Sequence, residues 1–215
     1  MSITEKATNG RSRGRPRLPI DREVVADAMA DLSHEGGYAS VSIVDIAEKL
    51  AVSRATLYRT VPTKQELLGI LFERSTRELT EQVETAIREN ADPREQLKEL
   101  VRAHSEAAVR MRDYMPVFFG GGDLPQEVVQ RWHAWSRRFE ELWRSVIAAN
   151  MEAGYLDEGD PVITTRLVIG MFTWVSRWYR AEENVTSARI ADEAIRLLRL
   201  GYVPPKAAHT KPLDR

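Results

Sequence analysis

The sequence predicts an all-α protein of about nine helices, in which a three-helix N-terminal domain with a helix-turn-helix precedes a larger helical domain. Apolar residues recur at spacings of three and four along most of the chain, which is the period of a helix that buries one face. Ser, Thr or Asp precedes these stretches, where a side-chain oxygen can cap a helix. Gly and Pro separate them, which favours helices joined by turns.

The composition is typical of a globular protein. Of the 215 residues, 43% are hydrophobic and 29% are charged, which suits one or two domains. Cysteine is absent, which excludes a disulfide framework, a zinc-thiolate site and a cysteine nucleophile. Apolar runs stay below the roughly 18 residues that span a bilayer, and the N-terminus lacks the apolar segment of a signal peptide. We therefore expect a cytoplasmic protein without a membrane partner.

Basic charge is concentrated at the N-terminus. The formal net charge is −1, yet residues 1–64 carry ten Lys and Arg against eight Asp and Glu. Residues 1–17 carry five basic side chains against one acidic one, and their Gly, Ser and Pro content predicts a flexible basic arm. Arg13, Arg15 and Arg17 resemble the core of an AT-hook, whose arginines enter the minor groove of DNA. A solvated tail that only raises non-specific affinity is the alternative, and both remain open.

The first helix is predicted to begin at Asp21 and to end at Gly36 and Gly37, where glycine supplies a left-handed C-cap. Ile20 and Val25 have the spacing of a hydrophobic staple around its start. The side chains predicted to face inward are Val24, Val25, Ala28 and Leu32.

Two short helices joined by a tight turn are predicted over residues 41–59. Ser42 caps the first helix in a capping box with Asp45, and Ser53 caps the second. The apolar residues of the first helix form one stripe, Ile43, Ile46, Ala47 and Leu50. The polar residues of the second helix point outward, and they are Arg54, Thr56, Tyr58 and Arg59. This pattern predicts a helix-turn-helix.

The outward side chains of the second helix suit the major groove of DNA. Arginine can pair in bidentate fashion with guanine, and the hydroxyls of Thr56 and Tyr58 can bond a phosphate or a base edge. An ordinary surface helix with solvated charges is the alternative. The caps and the turn spacing agree with the docking geometry of the motif, which favours DNA binding.

A long fourth helix is predicted after the break at Pro62, because the residue before proline is pushed away from helical geometry. Thr63 and Glu66 are spaced as a capping box, and Lys64 in the first turn can reach a phosphate. The predicted inward residues are Leu67, Ile70, Leu71 and Phe72.

Residues 43–67, with 53–59 as the core, resemble the DNA-binding domain of the TetR family of bacterial transcriptional regulators. The resemblance implies a two-domain all-α homodimer that usually represses, and whose effector pocket in the C-terminal domain controls release of the operator. It places the following residues at the DNA: Ser42, Arg54, Ala55, Thr56, Tyr58, Thr60 and Lys64.

Three positions depart from the common pattern of the family. Ala51 stands where the turn usually has glycine, and a left-handed backbone there would cost on the order of 1 kcal/mol. Thr60 and Val61 stand where the family often has histidine and an aromatic residue, so the operator sequence does not follow by analogy.

We expect four segments in the chain. Residues 1–17 form the basic arm, 18–65 the helix-turn-helix DNA-binding domain, 66–203 the ligand-binding and dimerisation domain, and 204–215 a disordered tail. Within the larger domain, helices are predicted over about 93–111, 126–151, 162–179 and 187–201, with a break at 114–125.

The helix over residues 126–151 carries a broad aromatic stripe. Core packing is the ordinary explanation, but three tryptophans within twelve positions suit the wall of a large apolar cavity, and we favour a pocket. The predicted ligand-binding residues are His104, Trp132, Trp135, Phe139, Trp143, Trp174 and Arg177. His104 is expected to be a hydrogen-bonding group of the pocket or core rather than a metal ligand.

The last two helices, over residues 161–181 and 187–201, have apolar faces that predict the dimer interface. Ser187 is the expected cap of the second one. Residues 170–180 are also similar to a TetR subgroup that regulates fatty-acid and sterol catabolism, many members of which sense acyl-CoA thioesters. That similarity implies a largely apolar effector such as an acyl-CoA, with an aromatic or cationic drug as the competing class.

Catalytic motifs are missing from the sequence. It has no His-Glu-x-x-His, no Gly-x-Ser-x-Gly and no dinucleotide-binding glycine fingerprint, so an enzyme, a cofactor and a metal are not expected. A double-stranded DNA operator, a small-molecule effector and a second copy of the chain are the expected partners. The alternative function is a helical small-molecule-binding module whose main role is not DNA binding.

Overall fold

The computed structural model describes residues 20–119 and 124–200. Within these residues it forms nine α-helices and no strand, so the all-α prediction is confirmed. In chain order the helices are α1 Arg22–Gly36, α2 Ile43–Lys49, α3 Arg54–Thr60, α4 Lys64–Glu89, α5 Pro93–Arg110, α6 Met115–Phe119, α7 Gln126–Glu152, α8 Pro161–Trp178 and α9 Ser187–Leu197. Two 3-10 turns cover Tyr38–Ser40 and Ala181–Glu183. None of the described helices is both long and apolar enough to cross a membrane.

Some sequence predictions fall outside the described residues. They are the AT-hook arginines Arg13, Arg15 and Arg17, the glycines at 120–122 and the tail 204–215. The predicted break at 114–125 contains the short helix α6, which begins directly after a buried tyrosine. That side chain is Tyr114, whose hydroxyl lies 2.5 Å from Oγ of Ser75 on α4. Because the phenol is buried, its pKa rises to about 12.

Where the sequence analysis names a capping residue, the structure has a side-chain cap at that residue, with one exception; α7, which follows Pro125, has no side-chain cap. Asp21, Ser42, Ser53, Thr63, Asp92 and Asp160 each accept a hydrogen bond from a backbone N–H of the following turn. The exception is α9, where Thr186 rather than Ser187 is the cap and accepts from the backbone N–H of Arg189 at 3.2 Å. Thr186 has the extended backbone that a cap requires, whereas Ser187 is already helical.

The helix α1 packs against α4 and against α2, and α2 packs against α3. Their core side chains are fully or almost fully buried, and they include Val25, Met29, Ile46, Leu57, Leu67 and Leu71. Val24 was predicted to face inward, but it is 45% exposed, because the buried stripe of α1 runs through Val25, Ala28 and Met29 instead. Ion pairs add to the contact between α1 and α4, including Arg22–Glu73 at 3.1 Å and Arg77–Glu23 at 2.8 Å.

The 26-residue helix α4 connects the two halves of the molecule. At 1.5 Å per residue it is about 39 Å long. It packs on α1 and also on α5 and α7, so the helix that follows the DNA-binding motif also lines the C-terminal bundle. In that bundle α5 is central, because it contacts α4, α7, α8 and α9.

Candidate nucleic-acid interface and effector cavity

The turn between α2 and α3 has the geometry of a Schellman motif. The N–H of Ala51 donates to the carbonyl of Glu48 and the N–H of Val52 donates to that of Ala47, both at 3.0 Å. Ala51 itself has φ of +52°, in the left-handed region. The backbone strain expected for a left-handed residue at this position is therefore present, since an alanine occupies a conformation that favours glycine.

The helix α3 is held by one side chain and leaves the others accessible. Leu57 is fully buried in the core of the N-terminal domain. The hydroxyl of Ser53 accepts from the N–H of Thr56 at 3.1 Å and fixes the start of the helix. The exposed side chains of α3 are those predicted to contact DNA, Arg54, Ala55, Tyr58 and Arg59, while Thr56 and Thr60 are half-buried.

Two of the predicted DNA contacts lie at the starts of neighbouring helices. Ser42 caps α2, and both its N–H and its hydroxyl donate to the carboxylate of Asp45, at 2.8 Å and 2.7 Å. These bonds lower the pKa of Asp45. Lys64, in the first turn of α4, has Nζ 4.8 Å from the ring centroid of Tyr38, and its pKa is lowered by partial burial. Sequence reasoning missed Tyr38, because nothing in the local pattern relates it to Lys64.

A cavity of about 400 Å³ lies between α4, α5, α7 and α8. It falls within the range of small-molecule sites, and most of its wall is apolar. Four of the predicted ligand-binding residues line it, and they are His104, Trp132, Trp135 and Phe139. The rings of Trp135 and Phe139 stack with centroids 4.8 Å apart, so part of the wall is a continuous aromatic surface.

The three other predicted ligand-binding residues are not among those that line the cavity. Trp143 is fully buried behind the wall, with its ring 5.5 Å from that of His104. Trp174 is 64% exposed, and Arg177 is also exposed. Both lie on α8, whose cavity side is formed by other residues such as Phe172 and Thr173. Periodicity shows which residues share a face of α8 but not which face looks inward.

The polar groups of the cavity come mainly from residues that sequence reasoning missed. Glu140 on α7 and Arg166 on α8 line it and form an ion pair, with Arg166 Nε donating to Glu140 Oε1 at 2.9 Å. Their side chains are 31% and 66% exposed, so the pair marks the mouth of the cavity. Ser136, Thr173 and Ser176 add hydroxyls to the wall. Among the residues that the structure describes, no cluster of His, Asp and Glu could hold a metal ion.

His104 is buried at the inner end of the cavity. Its ring stacks on Phe172 with centroids 5.0 Å apart and meets Phe139 edge-on at 5.5 Å. Burial lowers the pKa of His104 to about 3, so the imidazole is neutral near pH 7. Within the described part of the chain its Nδ1 has no hydrogen-bond partner.

One face of α8 carries a stripe of large apolar side chains that the protomer leaves exposed. The stripe, called here the α8 stripe, consists of Ile163, Leu167, Met171, Trp174 and Trp178. Leu167 is the most exposed of them at 68%, and Leu197 on α9 is exposed to a similar extent. Spacings of three and four place these residues on one side of the helix.

An exposed recognition helix, joined through α4 to a helical domain with an apolar cavity, defines the class of ligand-responsive DNA-binding regulators. Residues 26–69 match the family model "Bacterial regulatory proteins, tetR family". Residues 90–202 match the model "Tetracyclin repressor-like, C-terminal domain". The chain therefore belongs to the TetR family, whose members are DNA-binding transcriptional regulators rather than enzymes.

Solved structures share the fold at low sequence identity. A TetR/AcrR-family regulator from Thermobifida fusca is 23% identical, with a TM-score of 0.72 over 85% of this chain and 98% of that one. The regulator PfmR from Thermus thermophilus is 27% identical, with a TM-score of 0.69 over 81% and 97% of the two chains. AibR, solved in complex with isovaleryl coenzyme A and operator DNA, is 20% identical, with a TM-score of 0.68 over 83% and 98%. No curated protein sequence matches the chain.

Proposed function

We propose that the protein is a repressor that binds a near-palindromic operator as a homodimer and is released by a largely apolar effector. The observation that carries the DNA-binding part is the exposure of α3, which buries Leu57 and leaves Arg54, Tyr58 and Arg59 accessible. A helix of this kind can lie in the major groove, with arginine reading guanine and the hydroxyls reaching phosphates or base edges. The protein then acts in the cytoplasm, where its operator lies.

The α8 stripe supports the homodimer. A contiguous row of large apolar side chains on a monomer is typical of an interaction surface. A second copy offers the same surface, and a two-fold axis through α8 and α9 pairs each stripe with itself. The dimer presents two copies of α3, and two half-sites one helical turn apart make a near-palindrome.

The shape of the cavity supports an apolar effector. A volume of about 400 Å³ accommodates an acyl chain but not a whole acyl-CoA, so the coenzyme part of such a ligand would lie outside the mouth. AibR, which has the same fold, was solved with isovaleryl coenzyme A. An aromatic or cationic drug remains the competing effector class.

Release of the operator requires a link between the cavity and α3. The indole N–H of Trp135 in the cavity wall donates to Oγ1 of Thr80 on α4 at 2.9 Å, and α4 begins at Lys64 beside α3. A ligand that shifts Trp135 can therefore act on α4, the helix that follows the DNA-binding motif. The effector must prefer the arrangement that does not bind DNA, because equal affinity for both shifts nothing.

Selection from random double-stranded DNA, followed by a gel shift with the gene's own upstream region, tests the proposal. We expect an inverted repeat to be enriched and to compete with the upstream fragment. If no repeat is enriched and the upstream DNA is bound only non-specifically, the repressor proposal is wrong. The chain would then be a helical binding module with another role.

A further inference from the structure

We propose that the cavity selects an anionic amphiphile, which places an uncharged hydrogen-bonding group at His104 and keeps its negative charge beside Arg166 at the mouth. This inference rests on the proposed effector role of the cavity and adds the chemical class of the ligand. Suitable uncharged groups are a hydroxyl or a carbonyl.

The inner end of the cavity offers one polar group in an aromatic setting. The ring of His104 is enclosed by Phe139, Trp143 and Phe172, at centroid distances of 5.0–5.5 Å. A neutral imidazole has one donor and one acceptor nitrogen. Nδ1 of His104 is fully buried and has no partner among the described residues, so Nε2 is the nitrogen that a ligand in the cavity can reach. A ligand hydroxyl or carbonyl at this ring therefore gains a hydrogen bond that an alkyl chain cannot make.

A charged group is disfavoured at the same place. The charged side chains of the cavity wall, within the described residues, are Glu140 and Arg166, and both lie at the mouth. A carboxylate beside His104 would need a protonated imidazole as its partner, and burial among three aromatic rings opposes that charge. The polar group at the inner end must therefore be uncharged.

The ion pair at the mouth favours an anion over a cation. Arg166 uses Nε to bond Glu140, which leaves the two terminal amino groups of its guanidinium available to a further acceptor. A carboxylate or phosphate can accept two bonds from a guanidinium in a forked geometry. An anion thus adds a forked contact to Arg166, the more exposed partner of the pair, whereas a cation meets the less exposed Glu140, one of whose carboxylate oxygens already bonds Arg166.

The volume of the cavity determines which small molecules are suitable as probes of binding. At ~30 Å³ for each non-hydrogen atom, as for liquid water, about 400 Å³ holds roughly a dozen such atoms. A ten-carbon chain with a polar group at each end is therefore suitable. Decanoate, 10-hydroxydecanoate, 1-decanol and decyltrimethylammonium differ only in their end groups.

Binding of the four probes to the full-length protein is measured by calorimetry and by tryptophan emission, since Trp132 and Trp135 line the cavity. We expect 10-hydroxydecanoate to bind about five- to tenfold more tightly than decanoate, the effect of one added hydrogen bond. His104→Phe should abolish this preference, whereas His104→Gln, which keeps a neutral hydrogen-bonding group, should preserve it. A role in packing alone would not separate the two variants.

The Arg166→Gln variant tests whether the guanidinium at the mouth of the cavity binds the negative charge of the ligand. It should weaken decanoate about tenfold and leave 1-decanol unchanged, with Arg177→Gln as a matched control on the same helix that has no effect. The inference is overturned if the hydroxyl preference is absent or survives His104→Phe. It is also overturned if decyltrimethylammonium binds more tightly than decanoate, or if the two arginine variants behave alike.

Operator binding by the ligand-free protein is measured in parallel. A protein that binds an operator but does not discriminate among the probes overturns this inference and leaves the proposed function in place. A protein that binds no operator overturns the proposed function, whatever the probes do.

Discussion

Trp135 on α7 donates a hydrogen bond from its indole N–H to Oγ1 of Thr80 on α4, with 2.9 Å between the two atoms. The ring of Trp135 also meets Phe72 of α4 edge-on, with centroids 5.8 Å apart. A single side chain in the cavity wall therefore contacts α4 in two ways. Because α4 begins beside the recognition helix, this contact connects the cavity wall on α7 to the helix that leads to the DNA-binding domain.

Thr80→Val should weaken the coupling between the cavity and the operator. The substitution keeps the shape of the side chain but removes both the acceptor of the Trp135 bond and the hydroxyl that donates to the carbonyl of Thr76 at 2.7 Å. Each lost hydrogen bond costs about 1 kcal/mol of stability. We expect a cavity ligand to bind nearly as before but to reduce operator affinity several-fold less than in the unsubstituted protein. Fluorescence anisotropy of labelled operator, with and without ligand, gives the ratio. Thr85→Val on the same helix is the control, and equal coupling in the two variants would contradict the route.

Ala51→Gly should stabilise the protein by about 1 kcal/mol, because glycine adopts the left-handed backbone of the turn without the steric cost of a Cβ. Urea unfolding monitored by circular dichroism measures the change. Ala55→Gly is a matched control one turn later in α3, where the backbone is helical, and it should destabilise by a similar amount. If both substitutions destabilise, the strain assigned to Ala51 is absent.

Much of the fold could be predicted from the sequence because its signals are local. Ser42, Ser53 and Thr63 cap helices within three residues of themselves, and proline and glycine mark the ends. The cavity wall was harder to predict, because it depends on contacts between distant helices. Trp135 and Thr80 are 55 residues apart, and Glu140 and Arg166 are 26 apart. Trp174 has the same local signature as a buried tryptophan, and only the packing of α8 places it outside.

Substitution of the α8 stripe should yield monomers. Leu167→Glu combined with Leu197→Glu places two carboxylates on exposed apolar positions, where a second copy would have to bury them. Val168 is unsuitable for this test, because it is buried within the protomer and a charge there would unfold it. Sedimentation should show a halved mass, and operator affinity should fall at least tenfold. Gln130→Glu with Ser145→Glu on α7 adds the same charge and is the control, which should stay dimeric. If the double variant of α8 and α9 also stays dimeric, the interface lies elsewhere.

Arg54 and Lys64 should affect DNA binding in different ways. Arg54→Ala should cost about 1–3 kcal/mol on the operator and relax the preference at one base pair, because its guanidinium can read a base edge. The ion pair of Arg54 with Glu48, at 3.7 Å, is exposed and weak, so it does not oppose a base contact. Lys64→Ala should weaken binding to all DNA sequences alike. It should also reduce the slope of log affinity against log salt concentration by about one. Binding isotherms at several salt concentrations separate the two, and an Arg54→Ala variant with unchanged base preference would exclude direct readout by this residue.

Because His104 is buried, the free energy of unfolding should fall steeply as the pH is lowered, and this part of the pH profile is called here the acid limb. In the folded protein the pKa of His104 lies near 3, below the ordinary value of 6.5, so the unfolded chain binds the proton more readily. The stabilising effect of the neutral ring is complete above pH 6.5 and is lost as the pH falls towards 3. The slope attributable to this one residue approaches about 1.4 kcal/mol per pH unit within that window.

His104→Gln, which cannot be protonated there, should show a flatter acid limb in urea unfolding between pH 6.5 and 4. His133→Gln is the control, because that histidine is exposed, and it should keep the steep limb. If His104→Gln and the unsubstituted protein have the same slope, folding does not lower the pKa of His104.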